Sequence, residues 1–202
     1  MLIWKRGLLA SLALVVLVSP VRAQMFGTGS QMFGLGATYG SVNDVSNTFT
    51  LSGFKPSVWT VFFDYRMEPA ALLRLTFGSM WTQQSLVGQT VNTPSGPVFV
   101  PTAKEHVNYL TIDASYLYAE GFYTGGIFGG IGGYQYNPEP MPPGYEQFQD
   151  PSQKYFGFNL GVDGEFRVSR NVGLVLRLTY HYLFATPRRE FFNAEAGVVG
   201  RF

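Results

Sequence analysis

The feature that most constrains this fold is a strict alternation of apolar and polar residues along many short segments. In FGFNLGVDGEFRV, residues 156–168, Asp163, Glu165 and Arg167 alternate with large apolar residues. Successive side chains of a β-strand point to opposite faces, so this spacing places the three charges on one face. The segment is therefore predicted to be a strand with one charged face and one apolar, aromatic face.

Seven other segments complete a set of eight candidate strands. Six alternate clearly, at 31–40, 58–67, 71–81, 109–118, 172–184 and 193–202. The seventh, the glycine-rich FYTGGIFGGIGGYQY at 122–136, has no clear facing. These lengths suit the roughly 9–11 residues with which a tilted strand crosses a membrane.

The charged faces of the strands carry equal numbers of acids and arginines. The members are Asp64, Asp113, Asp163, Glu165, Glu195, Arg66, Arg74, Arg167, Arg177 and Arg201. A soluble barrel needs the opposite pattern, with apolar residues inside and charges outside. The sequence therefore predicts an all-β fold, an eight-stranded antiparallel up-and-down transmembrane β-barrel whose apolar band faces lipid.

Eight strands leave an interior that side chains alone can fill. An unpaired buried charge costs several kcal/mol, so we expect the ten charges to pair across the interior as a structural network, with His181 as a polar interior residue. Glycines of the same strands are expected to make room for the arginines. These are Gly34, Gly36, Gly157, Gly161 and Gly197.

Connections between the candidate strands alternate between long and short, as in outer-membrane barrels with tight periplasmic turns and longer external loops. Aromatic residues gather near the strand ends, as in the girdles of membrane proteins. The expected outer girdle is Trp59, Trp81 and Phe184, and the inner one is Tyr65, Tyr116, Tyr118 and Tyr123.

The first 23 residues have the layout of a secretory signal peptide. Lys5 and Arg6 precede an apolar run, and small residues at Val21 and Ala23 predict cleavage after Ala23, which leaves residues 24–202 as the barrel domain. The alternative is a membrane anchor, but the run is shorter than the roughly 20 residues that a spanning helix needs. Cleavage removes three of the 14 basic residues and none of the 13 acidic ones, for a net charge of −2. No basic surplus remains to attract nucleic acid.

The strand count, the signal peptide and the ending GVVGRF resemble the small outer-membrane barrels of the OmpA/OmpX type. The resemblance covers about residues 31–202, and it implies the outer membrane of a Gram-negative bacterium as the location. It also implies that Phe202 is the recognition signal for the barrel-assembly machinery. A peptidoglycan-binding domain, which OmpA carries after its barrel, is not implied because no residue follows Phe202.

Catalytic and cofactor sites find little support. The chain has no cysteine, which excludes a thiolate metal site, and only two histidines. Some barrels of this size are lipid A deacylases with a His-x-Ser pair, but here His181 is followed two residues later by Leu183, so the nucleophile is missing. His106 is placed in an external loop, beside Lys104 and Glu105. The repeated glycines at 125–133 lack the lysine and the helix that a phosphate-binding loop requires.

The leading hypothesis is therefore a non-catalytic membrane scaffold, without cofactor or metal, whose external loops form the interaction surface. Arg188 and Arg189, in the last external loop, are candidates for contact with lipopolysaccharide phosphates, and the alternative is that they are solvated surface charges. One alternative is a narrow channel or conduit for hydrophobic compounds, similar to OmpW. A further alternative is a lipid A-modifying enzyme.

Overall fold

The computed structural model describes residues 32–45, 55–83, 89–101, 103–120, 122–186 and 188–202. The strands in these ranges are β1 (Phe33–Asp44), β2 (Lys55–Glu68), β3 (Ala71–Gln83), β4 (Thr90–Thr93), β5 (Gly96–Phe99), β6 (Lys104–Glu120), β7 (Tyr123–Pro138), β8 (Gln153–Arg167), β9 (Val172–Leu183) and β10 (Arg189–Arg201). A closed antiparallel barrel contains all of them except β4 and β5, in the order β1-β10-β9-β8-β7-β6-β3-β2. The predicted eight-stranded barrel is confirmed. The predicted signal peptide, residues 1–23, lies outside the described residues.

The register of the strands tilts them around the barrel. A row of paired residues runs from Leu35 through Phe63, Leu75, Ile112, Ile131, Phe158 and Tyr182 to Glu190. Leu35 itself pairs with Gly200, ten residues beyond Glu190 on β10. Each row therefore climbs as it goes round, which is the stagger that closure of a barrel requires.

The two faces of each strand follow the predicted division. On β3, Leu73, Leu75 and Phe77 point outward and are 37–47% exposed, whereas Arg74 and Thr76 between them are buried inside the barrel. The glycine-rich strand β7, whose facing the sequence left open, directs three aromatic side chains inward. These are Phe128, Tyr134 and Tyr136. The barrel wall is therefore apolar outside and mixed polar and aromatic inside.

Short and long connections lie at opposite ends of the barrel, in agreement with the predicted alternation. At one end, called the turn end here, the connections are 69–70, 121–122 and 168–171. At the other, the loop end, they are 45–54, 84–103, 139–152 and 184–188. A hairpin of β4 and β5, which the sequence did not predict, lies within the connection 84–103.

Aromatic rings cluster outside the wall at both ends. At the turn end, the Phe33 ring stacks on Tyr65 with a centroid distance of 5.5 Å and on Phe202 at 6.2 Å. At the loop end, Phe156 and Phe184 stack at 6.2 Å. These positions correspond to the two girdles expected at the interfaces of a membrane.

Candidate functional site

A chain of alternating acids and arginines fills the part of the interior nearest to the turn end. Asp64 accepts hydrogen bonds from Arg74 Nε at 2.6 Å and Nη2 at 3.1 Å, and its Oδ2 lies 2.9 Å from Arg201 Nη1. Arg74 Nη1 also donates to Asp163 at 2.8 Å, and Arg201 is bidentate on Glu165. Asp64 therefore joins two arginines, each of which holds a second carboxylate.

A second ion pair lies beside this chain. Arg177 Nη2 donates to Asp113 Oδ2 at 2.6 Å, and both side chains are buried. Asp113 also accepts hydrogen bonds from Thr76 Oγ1 at 3.1 Å and Asn159 Nδ2 at 2.9 Å. The carboxylate is thus satisfied on both oxygens, as a buried charge requires.

Two of the arginines also lie against interior aromatic rings. The Arg74 guanidinium carbon is 4.2 Å from the centroid of Phe62, and that of Arg177 is 4.2 Å from the centroid of Phe128. A cation over an aromatic face gains from the negative face of the ring. The rings therefore stabilise the same two guanidinium groups that the carboxylates bind.

The predicted role of the interior glycines needs correction. A Cβ on Gly34 would lie within 2.4 Å of Arg201 Nη1, so this glycine does make room for an arginine. Gly36, Gly157 and Gly161 instead lie against the rings of Phe62, Tyr134 and Phe128, and Gly197 lies against the backbone of β1. Most of these glycines make room for aromatic rings and for the facing strand rather than for the arginines themselves.

Glu195 differs from the other interior acids. It is 6% exposed and accepts hydrogen bonds from Thr38 and, at 3.2 Å, from Thr60. Its register partner Arg177 is turned toward Asp113. The sequence placed Glu195 on the interior face, but it could not show that hydroxyl groups would bind this carboxylate.

Two of the five arginines lie outside the buried network. Arg66 is only half-buried near the turn end, and Arg167, the last residue of β8, is exposed. Both have the inward parity of their strands, but the barrel opens to solvent at this level. The equal numbers of acids and arginines on the predicted interior faces, five of each, therefore do not correspond to five buried ion pairs.

His181 is enclosed in the interior and is 1% exposed. Its Nδ1 lies 2.9 Å from the Tyr134 hydroxyl, its Nε2 lies 3.1 Å from Asn193 Nδ2, and its ring packs at 5.0 Å from that of Tyr109. These contacts satisfy both ring nitrogens with a phenol and an amide. Neither group is the kind of nucleophile that acyl transfer requires.

An apolar cluster fills the interior on the loop side of His181. Val58, Met80, Val107, Leu183 and Phe191 are each completely buried. Further toward the turn end, a void of only about 10 Å³ remains between the charged side chains. That volume is about the size of one water molecule, so this void is too small for a solute larger than water.

A third charged layer, which the sequence did not predict, lies above the apolar cluster. Glu105 is 1% exposed and binds Arg189 and, at 2.8 Å, Thr82 Oγ1. The Nη2 of Arg189 also lies 3.6 Å from Asp44. The sequence assigned Glu105 and Arg189 to external loops, which is wrong because β6 and β10 extend beyond the expected apolar band. The period-two pattern, carried four residues further at the start of each of these two strands, would have revealed this layer.

The two remaining loop-end candidates face outward. His106 lies on β6 rather than in a loop, with its ring 4.2 Å from that of Trp81 and its Nε2 3.3 Å from Glu139. Arg188 has a 61% exposed side chain and lies over the Tyr182 ring at 5.6 Å. His106 and His181 are thus on opposite sides of the wall and do not form one site.

Two external connections pack against each other at the loop end. Val100 and Ala103, which follow β5, form a buried cluster with Met141 and Phe148 of the connection 139–152. The backbone N–H of Gly144 donates to Glu146 at 3.0 Å, and hydrogen bonds from the backbone N–H groups of Glu146 and then Gly144 lower the pKa of this carboxyl. The hairpin and the loop therefore form one platform with its own small core, on which Phe99 is 61% exposed.

Within the described ranges, no three His, Asp or Glu side chains are arranged to hold a metal ion. Among the same residues, no helix has the length and apolar character needed to span a membrane.

Comparison with solved structures identifies the fold. Neisserial surface protein A (NspA) superimposes with a TM-score of 0.57 at 12% identity, covering 87% of this chain and all of that one. The chain has the fold of the small eight-stranded outer-membrane β-barrels. The N-terminal barrel domain of Pseudomonas aeruginosa OprF superimposes on this barrel with a TM-score of 0.54 at 13% identity, covering 84% of this chain and 97% of that one. No protein-family model and no curated protein matches the sequence of the barrel.

Proposed function

We propose that the protein is a non-catalytic barrel of the bacterial outer membrane, and that its external loops form an interaction surface on a rigid frame. The filled interior supports this role more than any other feature. Ion pairs occupy the turn-end half, and Val58, Met80 and Leu183 belong to an apolar cluster that closes the loop-end half. A scaffold can have such an interior, whereas a conduit requires an open path.

The loop-end platform supports the second part of the proposal. Loops that merely connect strands have little reason to form a core, yet Val100 and Phe148 are buried together outside the barrel. A packed platform holds its exposed residues in fixed positions, which lowers the entropy cost of binding a partner. The ligand of this platform is not specified by its residues.

Contacts with the membrane complete the proposal. Arg188, over Tyr182, and Lys104, over Trp81 at 5.7 Å, carry cations next to outward aromatic rings at the loop end. Such pairs suit the phosphates of lipopolysaccharide, since arginine and lysine form strong charge-assisted hydrogen bonds with phosphate. Phe202 is the proposed signal for the barrel-assembly machinery.

Surface exposure in cells tests the location and the orientation. An epitope tag inserted between Thr93 and Gly96, in the β4–β5 turn, should bind antibody on intact cells. The same tag inserted after Ser169, at the turn end, should bind antibody only after the outer membrane is opened. The opposite result would reverse the orientation, and no labelling in either case after cell lysis would rule out assembly.

Planar-bilayer recording separates a scaffold from a conduit. We expect no stable current from the purified, folded protein, because the charged layer leaves a void of only about 10 Å³. A reproducible, gated current would favour the conduit instead. Mass spectrometry of lipid A from cells with and without the gene addresses the enzyme alternative, for which a mass difference that depends on His181 or His106 would be decisive.

A further inference from the structure

Glu195 is the acid of the interior network that no arginine binds, within the part of the chain that the structure describes. Each of the other acids forms an ion pair with a buried arginine. They are Asp64, Asp113, Asp163 and Glu165. Glu195 is only 6% exposed, and its register partner Arg177 donates from its two terminal nitrogens to Thr76 and Asp113 instead. The interior therefore holds one carboxylate without a counter-charge.

The charges of the whole network do not balance either. Three of its arginines are buried and Arg66 is half-buried, whereas Arg167 is exposed. Five acids thus face four arginines even when Arg66 is included, and Glu105 has its own arginine at the loop end. His181 binds a phenol and an amide rather than the Glu195 carboxylate. Buried charges in proteins are paired or hold a metal ion, so one cation is missing from this account.

Oxygen atoms from three strands surround the Glu195 carboxylate. The hydroxyl groups of Thr38 on β1 and Thr60 on β2 both bind its Oε2, Thr60 at 3.2 Å, and they also contact each other. Asn193 Nδ2 lies 3.4 Å from Oε1, and Asn193 Oδ1 is buried without a hydrogen-bond partner among the described residues. Turning this amide by half a rotation brings its carbonyl oxygen beside the carboxylate, with His181 Nε2 as a donor instead of an acceptor.

We propose that Glu195, Thr38, Thr60 and Asn193 bind one Na⁺ ion inside the barrel. Hard cations prefer oxygen ligands, which all four side chains offer. One carboxylate matches a single positive charge, whereas a divalent ion would add a new unpaired charge. No three acidic or histidine side chains in the described ranges are arranged to hold such an ion.

The position of the site gives the ion a structural role. Glu195 and Asn193 lie on β10, and Thr38 lies on β1, the strand that pairs with β10 to close the barrel. Thr38 and Thr60 are direct register partners on β1 and β2. An ion held by side chains of all three strands therefore stabilises the closed barrel. The sequence predicts no metal site because only the register brings these oxygen atoms together.

The experiment measures the unfolding equilibrium of the folded protein as a function of Na⁺. The protein is refolded and unfolded in detergent micelles from about 1 to about 500 mM NaCl, with choline chloride keeping the ionic strength constant, and is followed by tryptophan fluorescence. CsCl replaces NaCl in a parallel series. The variant Glu195→Gln removes the charge with almost no change of shape, and Glu68→Gln makes the same change at the exposed end of β2.

We expect Na⁺ to stabilise the wild type and Glu68→Gln. An ion that binds only the folded state lowers the unfolding equilibrium constant up to tenfold for each tenfold rise in concentration above its dissociation constant. Cs⁺ should have little effect because it is too large for side chains in such close contact. Glu195→Gln should not respond to Na⁺, and at the lowest Na⁺ it should be more stable than the wild type because it buries no unpaired charge.

A second pair of variants keeps the test informative if Glu195→Gln does not fold. Thr60→Val removes one ligand oxygen at nearly constant volume, whereas Thr60→Ser keeps it. We expect Na⁺ to bind about tenfold more weakly to Thr60→Val, the lower end of what the loss of a supporting group costs a metal site, and to bind Thr60→Ser as it binds the wild type.

Four results would overturn the inference. They are an unfolding equilibrium that does not change with Na⁺, one that changes equally with Na⁺ and Cs⁺, a response to Na⁺ that Glu195→Gln keeps, and a difference between the wild type and Glu195→Gln that follows pH but not Na⁺. The last result would assign the counter-charge to a proton. The site is independent of the external loops, so none of these results affects the surface-labelling or conductance tests of the proposed function.

Discussion

Replacing Asp64 by asparagine should remove the central carboxylate of the interior network with almost no change of shape. Asp64 is completely buried on β2 and binds both Arg74 and Arg201. An asparagine amide has one oxygen and no charge, so the two arginines would lose a shared anion inside the barrel. We expect the variant to fold and to unfold more easily.

The size of the effect depends on which carboxylate partners the two arginines retain. Breaking a buried ion pair by removing one partner costs about 3–5 kcal/mol, because the other charge stays buried. Here Arg74 retains Asp163 at 2.8 Å and Arg201 retains Glu165. Both cations thus remain paired, so we expect the lower end of that range, about 3 kcal/mol of unfolding free energy.

Equilibrium unfolding in detergent micelles measures this quantity. The fluorescence of Trp59 and Trp81, which lie on the outer wall at 39% and 42% exposure, reports transfer from detergent to water. Glu68→Gln is the matched control, since it makes the same carboxylate-to-amide change at the exposed end of the same strand. We expect a change within about 0.5 kcal/mol for this control.

Equal unfolding free energies for Asp64→Asn and Glu68→Gln would refute the reasoning. In that case water would reach the interior well enough to solvate the arginines, and the interior would not be filled as described above. Such a result would also weaken the case against a conduit.

Three further changes probe other parts of the chain. Gly161→Ala should cost about 1–3 kcal/mol because its Cβ would overlap an interior aromatic ring, whereas Gly133→Ala, which meets nothing within 4 Å, should be nearly neutral in the same unfolding assay. Phe148→Ala should open the external platform to proteases without changing the heat-modifiable migration of the barrel. Phe99→Ala, at an exposed site, should change neither the protease sensitivity nor the migration. Phe202→Asp should lower the amount of assembled protein in cells while refolding in detergent proceeds; normal assembly in cells would contradict its role as a signal.

The barrel itself could be predicted because apolar lipid-facing residues and polar interior residues alternate along a transmembrane strand, and this alternation is visible in the sequence. Parity alone places Asp163 and Arg177 inside, and in the structure Arg177 is buried and Asp163 is half-buried, with Arg74 as its ion-pair partner. Parity does not depend on where a strand ends, which is why the facing survived errors in strand limits. The limits themselves were harder, so Glu105 and Arg189 were assigned to loops although they form an interior ion pair.

Pairing could not be read from the sequence, because it depends on register and on the stagger of closure. Arg177 and Glu195 are direct register partners, yet Arg177 reaches across to Asp113 on β6 instead. The number of charges does not indicate which acid Arg177 binds. It also does not indicate that Arg167, at the end of its strand, is exposed.

A groove of about 780 Å³ on the outer wall, to whose lining Gly164, Leu176 and Ala196 belong, shows what a facing pattern omits even when it is correct. Parity classes Gly164, Ala196 and Leu176 together as outward residues, and a hydropathy pattern treats them as one apolar band. Their sizes matter only when the register places them in one row, where Leu176 lies between Gly164 and Ala196 and the two small residues leave depressions that leucines would fill. Features of the membrane-facing wall therefore depend on both the shear of the barrel and the volume of each side chain, and only the second is written in the sequence.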